Sequence, residues 1–284
     1  MMPRLCSLVL SCIFILTACS EGGIGSGQHA QCRPDPERVL HVQAFAPCPG
    51  IGTAASPFCR MGSVLALIQA DECPAPWVVE AQGAFPERLE FNNDIRDTGP
   101  PRVPPAINVT IKGGTFGGGA WALDRTIVVM GSNVSLTLDT VVLSNTAEDG
   151  ITCGWDVRGS LLRLRNVRID HVRTALRTAE GCSLDVEGLT VDTAFGGVAI
   201  GGEYRIASSK IVSSAGYSPL LQFENGARGV VDGLTFRGNV TRYSLIDCGQ
   251  LPRELKRLDI IHRAPIFADE TTCKTVESTL EPLP

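Results

Sequence analysis

The stretch Leu162-Arg-Leu-Arg-Asn-Val-Arg-Ile169 alternates apolar and charged residues on both sides of an asparagine, and it decides the fold. This alternation has the period of two of a β-strand, so the stretch predicts two short strands joined by a turn. The same frame recurs every 20 to 27 residues, as Val109–Phe116, Leu136–Leu143, Leu162–Ile169, Leu184–Val191, Tyr204–Ile211, Gly229–Phe236 and Arg253–Ile260. Such a unit buries its apolar side only against its neighbours, which indicates a stacked repeat.

The stacked frames predict an all-β fold, a right-handed parallel β-helix of about seven rungs. Further apolar strands follow most frames, for example Gly150–Cys153 and Leu220–Phe223. The competing architecture is a β-sandwich. Its turn signals would come about every 8 to 12 residues, without a recurring long period.

Outward positions of the frames support this alignment independently, because the alignment uses apolar residues alone. Neighbouring rungs of a parallel stack lie about 4.8 Å apart, so like charges at equivalent positions are unfavourable. Directly after the second inward residue, the sign alternates in the series Lys112, Asp139, Arg165, Glu187, Ala207, Asp232 and Lys256. A second outward position alternates in the central frames, as Arg163, Asp185 and Arg205.

The N-terminus has the pattern of an export signal. Residues 5–18 carry no charge, and this stretch is too short to span a bilayer but fits a signal peptide. Leu16-Thr-Ala-Cys19 resembles the lipobox of bacterial lipoproteins. That resemblance implies cleavage after residue 18, lipidation of Cys19 and, with Ser20 next, an outer-membrane location. An ordinary secretory peptide is the alternative. The Gly- and Ser-rich residues 19–38 predict a flexible tether.

The cysteines agree with an oxidising compartment. Besides Cys6 and Cys12 in the signal and Cys19, eight remain, which predicts four disulfides: Cys32, Cys48, Cys59, Cys73, Cys153, Cys182, Cys248 and Cys273. A metal site is the alternative, but no pair has Cys-x-x-Cys spacing. Similar offsets from successive frames predict the bonds Cys153–Cys182 and Cys248–Cys273. The pairing of the other four, within the N-terminal cap, stays open.

The segment before the first frame resembles a known family. Gly52–Cys59, a helical stretch over Ser63–Ala70 and the strand-like Trp77–Phe91 resemble the N-terminal segment of pectin-lyase-like right-handed β-helix proteins. The resemblance implies a helix that caps the solenoid. The chain then divides into a signal peptide at 1–18, a tether at 19–38, a cap with leading strands at 39–105, a β-helix at 106–267 and a C-terminal tail at 268–284. This superfamily contains lyases, esterases, hydrolases and adhesins, so the resemblance fixes no activity.

Enzymes of this fold carry acidic clusters on adjacent rungs, either to bind calcium or to act as acid and base. The candidates are Asp139, Asp185 and Glu187, with Arg165 as a base or anion-stabilising group. The alternating ladder places a basic residue beside nearly every acid. Such pairing keeps a carboxyl pKa low, whereas a general acid needs a raised one. It also removes the free carboxylates that calcium requires.

The sequence therefore favours a non-catalytic envelope module that presents a β-helix face to a polysaccharide or an envelope protein, and it leaves enzyme activity open. The alternative is a lyase, esterase or hydrolase acting on acidic polysaccharide, and only the lyase alternative implies a cofactor, calcium. With 25 basic residues against 30 acidic ones, no nucleic-acid partner is expected. Trp121, Trp155 and Tyr217 are candidate platforms for sugar rings, although covering the core is the simpler role for at least two of them.

Overall fold

The structure is a computed structural model. It describes residues 38–71, 76–92, 106–117, 126–129, 131–144, 149–154, 158–192, 196–213, 219–224, 226–238, 244–262 and 266–282. These residues contain one helix and 24 strands, and the named strands pair in parallel. The signal peptide, Cys19 and nearly all of the tether lie outside the described residues.

The strands form three faces of a coil. Face A consists of β1 (Arg38–Gln43), β2 (Trp77–Gln82), β5 (Ile107–Lys112), β8 (Val134–Asp139), β11 (Ser160–Arg165), β14 (Cys182–Glu187), β21 (Arg253–Lys256) and β23 (Cys273–Val276). Face B consists of β3 (Ala84–Phe85), β6 (Thr115–Gly117), β9 (Val142–Ser144), β12 (Arg168–Asp170), β15 (Thr190–Asp192), β22 (Asp259–His262) and β24 (Thr279–Pro282). Two long strands, β17 (Glu203–Ser213) and β19 (Arg228–Gly238), run through both faces.

Face C closes each rung with a separate sheet. Its strands are β4 (Leu89–Phe91), β7 (Ile127–Val129), β10 (Asp149–Cys153), β13 (Thr174–Thr178), β16 (Gly196–Ile200), β18 (Leu221–Phe223) and β20 (Ile246–Asp247). The aliphatic residues that point inward from the three faces form one continuous core. The chain is therefore a parallel β-helix, as the repeated frame predicts.

Five of the seven frames form a face A strand, a turn and a face B strand in the expected register. Leu162, for example, lies opposite Leu136 on one side and Leu184 on the other. In the other two, Tyr204–Ile211 and Gly229–Phe236, the long strands β17 and β19 run through both faces. The stack also continues past the frames, because β1 and β2 precede them, and β23 and β24 pair with β21 and β22. The segment 268–284, expected to be a tail, thus carries a further rung. Its strand lacks the apolar alternation, since Thr275 stands opposite Leu255.

The turn between faces A and B needs the same backbone conformation in every rung. Its first residue has a positive φ, which is 72° at Gly113 and 73° at Gly188. Glycine adopts this left-handed conformation without cost. Asparagine is also tolerated there, but Thr140 at 57° is an outlier for a β-branched residue. The frames therefore fold through a common turn even where the residue is unfavourable.

The predicted capping helix is α1 (Met61–Gln69), which buries Met61, Val64 and Ile68. It packs against β1 and β4, the first strands of faces A and C. Apolar side chains of the helix therefore cover the end of the core at the first described rung.

The disulfides Cys153–Cys182 and Cys248–Cys273 are confirmed, with Cα–Cα distances of 6.0 and 5.7 Å. The bonded cysteines are not equivalent positions: Thr178 lies opposite Cys153, and Cys182 follows four residues later. Both bonds instead cross the corner between face C and face A.

A third bond, Cys48–Cys59, lies in the cap, while Cys32 and Cys73 lie outside the described residues. Three disulfides fit an oxidising compartment. In the part of the chain that the structure describes, no helix is long and apolar enough to cross a membrane.

Candidate ligand-binding pocket

The charge ladder of face A has the register that the sequence predicts. Each step pairs with the next across neighbouring strands, from Lys112 and Asp139 at one end to Asp232 and Lys256 at the other. The ladder continues toward the N-terminal end of the stack, where Glu80 pairs with Lys112 and His41 pairs with Glu80. Alternating charges therefore line the outside of face A over most of its length.

Asp185 is the best-compensated acid of this face. Its Oδ2 lies 2.5 Å from Nη2 of Arg165, and its Oδ1 lies 3.0 Å from Nη1 of Arg205. Burial alone would raise the pKa of Asp185, but hydrogen bonds and charges from the two arginines outweigh burial and hold the pKa below its ordinary value. A carboxyl group with a lowered pKa is a poor general acid at neutral pH.

The other predicted acids are less tightly paired than Asp185. Glu187 has Oε2 at 3.9 Å from Nε of Arg165, and its side chain is about half exposed. Asp139 accepts a hydrogen bond from the hydroxyl of Thr140 at 2.9 Å. The structure thus brings Arg165 together with Asp185 and, more loosely, with Glu187, whereas Asp139 stands opposite Arg165 in register without an ion pair among the described residues. This arrangement suits a charge-balanced surface.

The proposed sugar platforms Trp121, Trp155 and Tyr217 lie outside the described residues.

A cavity of about 420 Å³ opens where β19 and β21 separate. Register pairing between the two strands begins at Val231 with Leu255. Upstream of that point, Gly229 and Val230 pair with β17 but have no partner on β21. We call this opening the Arg253 pocket. It is lined by Tyr204, Ala227, Arg228, Gly229, Val230, Leu251, Pro252, Arg253, Glu254 and Lys256.

Gly229 is required by the close approach of β17. It stands at the first inward position of its frame, where most frames have an aliphatic residue. A Cβ at this position would lie 1.8 Å from the carbonyl oxygen of Tyr204, so no side chain fits. The wall of the β-helix therefore has a gap at this rung, and Arg253 and Tyr204 line the cavity there.

Arg253 is buried although it carries a charge, and it is 7% exposed. Its guanidinium donates to the carbonyl oxygens of Cys248 at 2.9 Å, Ala227 at 2.5 Å and Glu224 at 3.4 Å. Its Cζ lies 4.7 Å from the ring centre of Phe223, a cation–π distance. Among the described residues, no carboxylate forms an ion pair with it. The pocket therefore contains a buried cation without a counter-charge.

The remaining lining combines cations with apolar surface. Burial raises the pKa of the Tyr204 hydroxyl, an effect that Arg253 only partly offsets, so this hydroxyl stays neutral. Lys256 pairs with Glu254 at 3.3 Å. Val230 and Leu251 are 49% and 45% exposed. The lining thus has three cations, Arg228 among them, against one carboxylate. Such a pocket attracts an anionic group and offers apolar contact beside it.

Sequence reasoning missed this pocket although a signal was present. The first inward position is aliphatic or aromatic in five frames, but it is glycine in the sixth and arginine in the seventh. The two departures stand in adjacent rungs, where they form one site.

Comparison with known proteins assigns neither a family nor a function to the chain. No protein-family model and no curated protein sequence matches the chain. A crystal structure of a GH136 lacto-N-biosidase from Eubacterium ramulus is similar over 87% of this chain and 68% of that chain, with 11% sequence identity and a TM-score of 0.45. Similarity at this level assigns no activity to the present chain.

Proposed function

We propose that the protein is a non-catalytic, lipid-anchored module of the cell envelope that binds an acidic saccharide in the Arg253 pocket. The observation that carries this proposal is Arg253 itself, a buried cation beside an open cavity with no carboxylate partner among the described residues. A buried charge without a partner is unfavourable. The carboxylate of a bound uronic acid would supply the missing counter-charge beside the guanidinium group.

The size and lining of the pocket support a saccharide. A volume of about 420 Å³ is within the usual range of small-molecule sites. Val230 and Leu251 offer apolar surface to the C–H groups of a sugar ring, while Arg228 and Lys256 extend the positive charge to the rim. The predicted lipid on Cys19 and the tether at 19–38 would hold this pocket at a membrane facing such polymers. No cofactor is part of the proposal.

We propose binding without catalysis because of the arrangement of the carboxyl groups. Glycoside hydrolysis uses two carboxyl groups on either side of the scissile bond. Glu254 is the one carboxylate that lines the pocket, and Lys256 pairs with it. On face A, Asp185 is held ionised by two arginines. Among the described residues, the pocket therefore lacks the second carboxyl group that this reaction uses.

The binding test is calorimetric titration of the full chain, solubilised in detergent, with trigalacturonate, a guluronate trimer and a hyaluronate tetrasaccharide. Each is paired with its carboxyl-reduced form. We expect at least one anionic form to bind and its reduced form to bind at least tenfold more weakly. Lys256→Gln and Arg228→Gln should weaken binding, whereas the matched control Lys112→Gln, at the far end of the same ladder, should not. Equal binding of reduced and anionic forms contradicts the proposal.

Two further measurements test the remaining parts of the proposal. New reducing ends or unsaturated sugars in the same mixtures, lost in Arg165→Ala, would overturn the non-catalytic assignment. Replacing Cys19 with Ala should release the protein from the membrane fraction, and retention would place the anchor elsewhere.

A further inference from the structure

We infer that a second saccharide subsite lies across one β-turn from the Arg253 pocket and takes the hydroxyl groups of a neutral sugar. This inference rests on the proposed function and names the ligand more closely. The subsite is a cavity of about 80 Å³ at the end of face C, lined by Thr152, Cys153, Gly154, Arg177, Thr178, Ala179 and Glu224. We call it the Arg177 cavity.

Two polar groups that line the Arg177 cavity are buried and have no hydrogen-bond partner among the residues that the structure describes. One is the hydroxyl of Thr152, a residue that is 1% exposed. The Nε of Arg177, on the neighbouring strand and opposite Thr152 in register, is also buried and unpaired. Leaving such groups unsatisfied is unfavourable. A ligand oxygen in the cavity would accept from Arg177 and exchange a hydrogen bond with Thr152.

One four-residue turn separates the two cavities. The N–H of Ala227 donates to the carbonyl oxygen of Glu224 at 3.2 Å, which closes a β-turn whose ends lie within about 7 Å. Glu224 lines the Arg177 cavity, and Ala227 lines the Arg253 pocket. Arg253 also donates to the carbonyl oxygen of Glu224. A ligand of two sugar rings is therefore long enough to reach both cavities.

The chemistry of the two cavities differs. The Arg177 cavity has one cation and one carboxylate, Glu224, so it has no net charge and would repel a second acid group on the Glu224 side. A donor, a carboxylate acceptor and a hydroxyl together suit the hydroxyl groups of a sugar edge, while the volume is too small for a whole ring. The ligand is therefore an oligosaccharide with an acidic sugar linked to a neutral one.

A matched pair of variants separates this role from a purely structural one. Thr152→Val removes the hydroxyl that lines the cavity. Thr126→Val is the control, because the Thr126 hydroxyl is also buried and unpartnered on face C but does not line the cavity. Replacing an unpartnered hydroxyl with a methyl group of the same shape leaves the fold intact. Both variants should therefore unfold at or above the wild-type denaturant concentration.

The probes are D-glucuronate and disaccharides of glucuronate linked to galactose, glucose or mannose, titrated into the full chain. We expect at least one disaccharide to bind more tightly than glucuronate. Thr152→Val should weaken that disaccharide three- to tenfold and leave glucuronate unchanged, because one hydrogen bond is lost. Thr126→Val should change neither affinity.

Each of the other outcomes contradicts either the second subsite or the proposed function. If glucuronate binds but no disaccharide binds more tightly, or if Thr152→Val behaves as Thr126→Val does, the Arg177 cavity holds water alone and the second subsite is wrong. If neither glucuronate nor any disaccharide binds, the second subsite is wrong, whereas the proposed function fails only if the galacturonate, guluronate and hyaluronate oligomers also fail to bind.

Discussion

The central rungs and the C-terminal rungs of face A handle charge in opposite ways. In β14, Asp185 points outward and meets one arginine from the strand before it and one from the strand after it. In β21, Arg253 points inward, where the equivalent position on β19 is a glycine, and its guanidinium donates to backbone carbonyl oxygens. An outward charge in a parallel stack pairs with the opposite charge at the equivalent position of a neighbouring strand. An inward charge finds none, and the wall opens beside it.

The sharpest way to break this comparison is to remove the buried charge. Arg253→Met should lower the free energy of unfolding by about 3 to 5 kcal/mol, because the carbonyl oxygens of Cys248 and Ala227 lose their donor inside the protein. Denaturant unfolding followed by circular dichroism measures the change. The control Arg205→Met removes an outward arginine that is 57% exposed and should cost much less. Equal losses in the two variants would show that inward and outward arginines do not differ.

The second comparison concerns the two corner disulfides, which close similar sequence separations of 25 and 29 residues. Replacing both cysteines of either pair with Ala should lower the free energy of unfolding by about 3 kcal/mol. The pairs should differ in binding, since the carbonyl of Cys248 holds Arg253 and that of Cys153 does not. Glucuronate affinity should fall in Cys248→Ala/Cys273→Ala and stay unchanged in Cys153→Ala/Cys182→Ala. Titration of both variants tests this difference, and equal affinities would contradict it.

The compensated region can be tested by pH. The pKa of Asp185 lies below its ordinary value of 3.8, so the ionised carboxylate stabilises the fold fully above that value. This contribution is lost as the pH falls through the lowered pKa. Asp185→Asn should therefore cost about 1 kcal/mol at pH 6 and progressively less below pH about 4. Unfolding titrations at several pH values measure this. Ser183→Ala, on the same strand, should keep the wild-type pH dependence.

The smallest predicted effect concerns the turn residue that directly follows a charged residue of the ladder. Thr140 and Arg257 occupy equivalent left-handed positions, with φ of 57° and 49°. Thr140→Gly should stabilise the protein by about 0.5 kcal/mol, because relief of backbone strain exceeds the entropy cost of glycine. Arg257→Gly should bring no gain, since Arg257 also donates to Asp232 at 2.6 and 2.7 Å. Thermal unfolding compares the two, and a larger gain in the second variant would contradict the expectation.

Much of the fold could be predicted from the sequence because the β-helix relates each residue to its equivalent one rung away. Apolar alternation fixed which side of each strand faces inward, and the ladder from Lys112 to Lys256 followed from that alignment. The same logic found the two disulfides, although it did not show that they cross a corner. The last rung escaped notice, since Thr275 interrupts its alternation.

The candidate site could not be predicted in the same way. The acids Asp139, Asp185 and Glu187 were identifiable as outward residues. The two ion pairs of Asp185, however, depend on the conformations that the long arginine side chains adopt between the strands. The Arg253 pocket depends on a gap between β19 and β21. No single residue type in the sequence predicts such a gap. The unpaired hydroxyl of Thr152 is visible only when its surroundings are known.

The sequence by itself determined the repeat, the inward side of each frame and the alternating charges, because all three are periodic. The period of two corresponds to the pleat of a strand, and the period of 20 to 27 residues corresponds to one rung. Tertiary structure alone decided where the stack opens. Gly229 cannot carry a side chain because Tyr204 approaches it, and Arg253 on the next rung reaches the carbonyls of the corner. These contacts join residues of three rungs. A close backbone approach and the reach of one arginine side chain follow no period, so the sequence pattern does not show them.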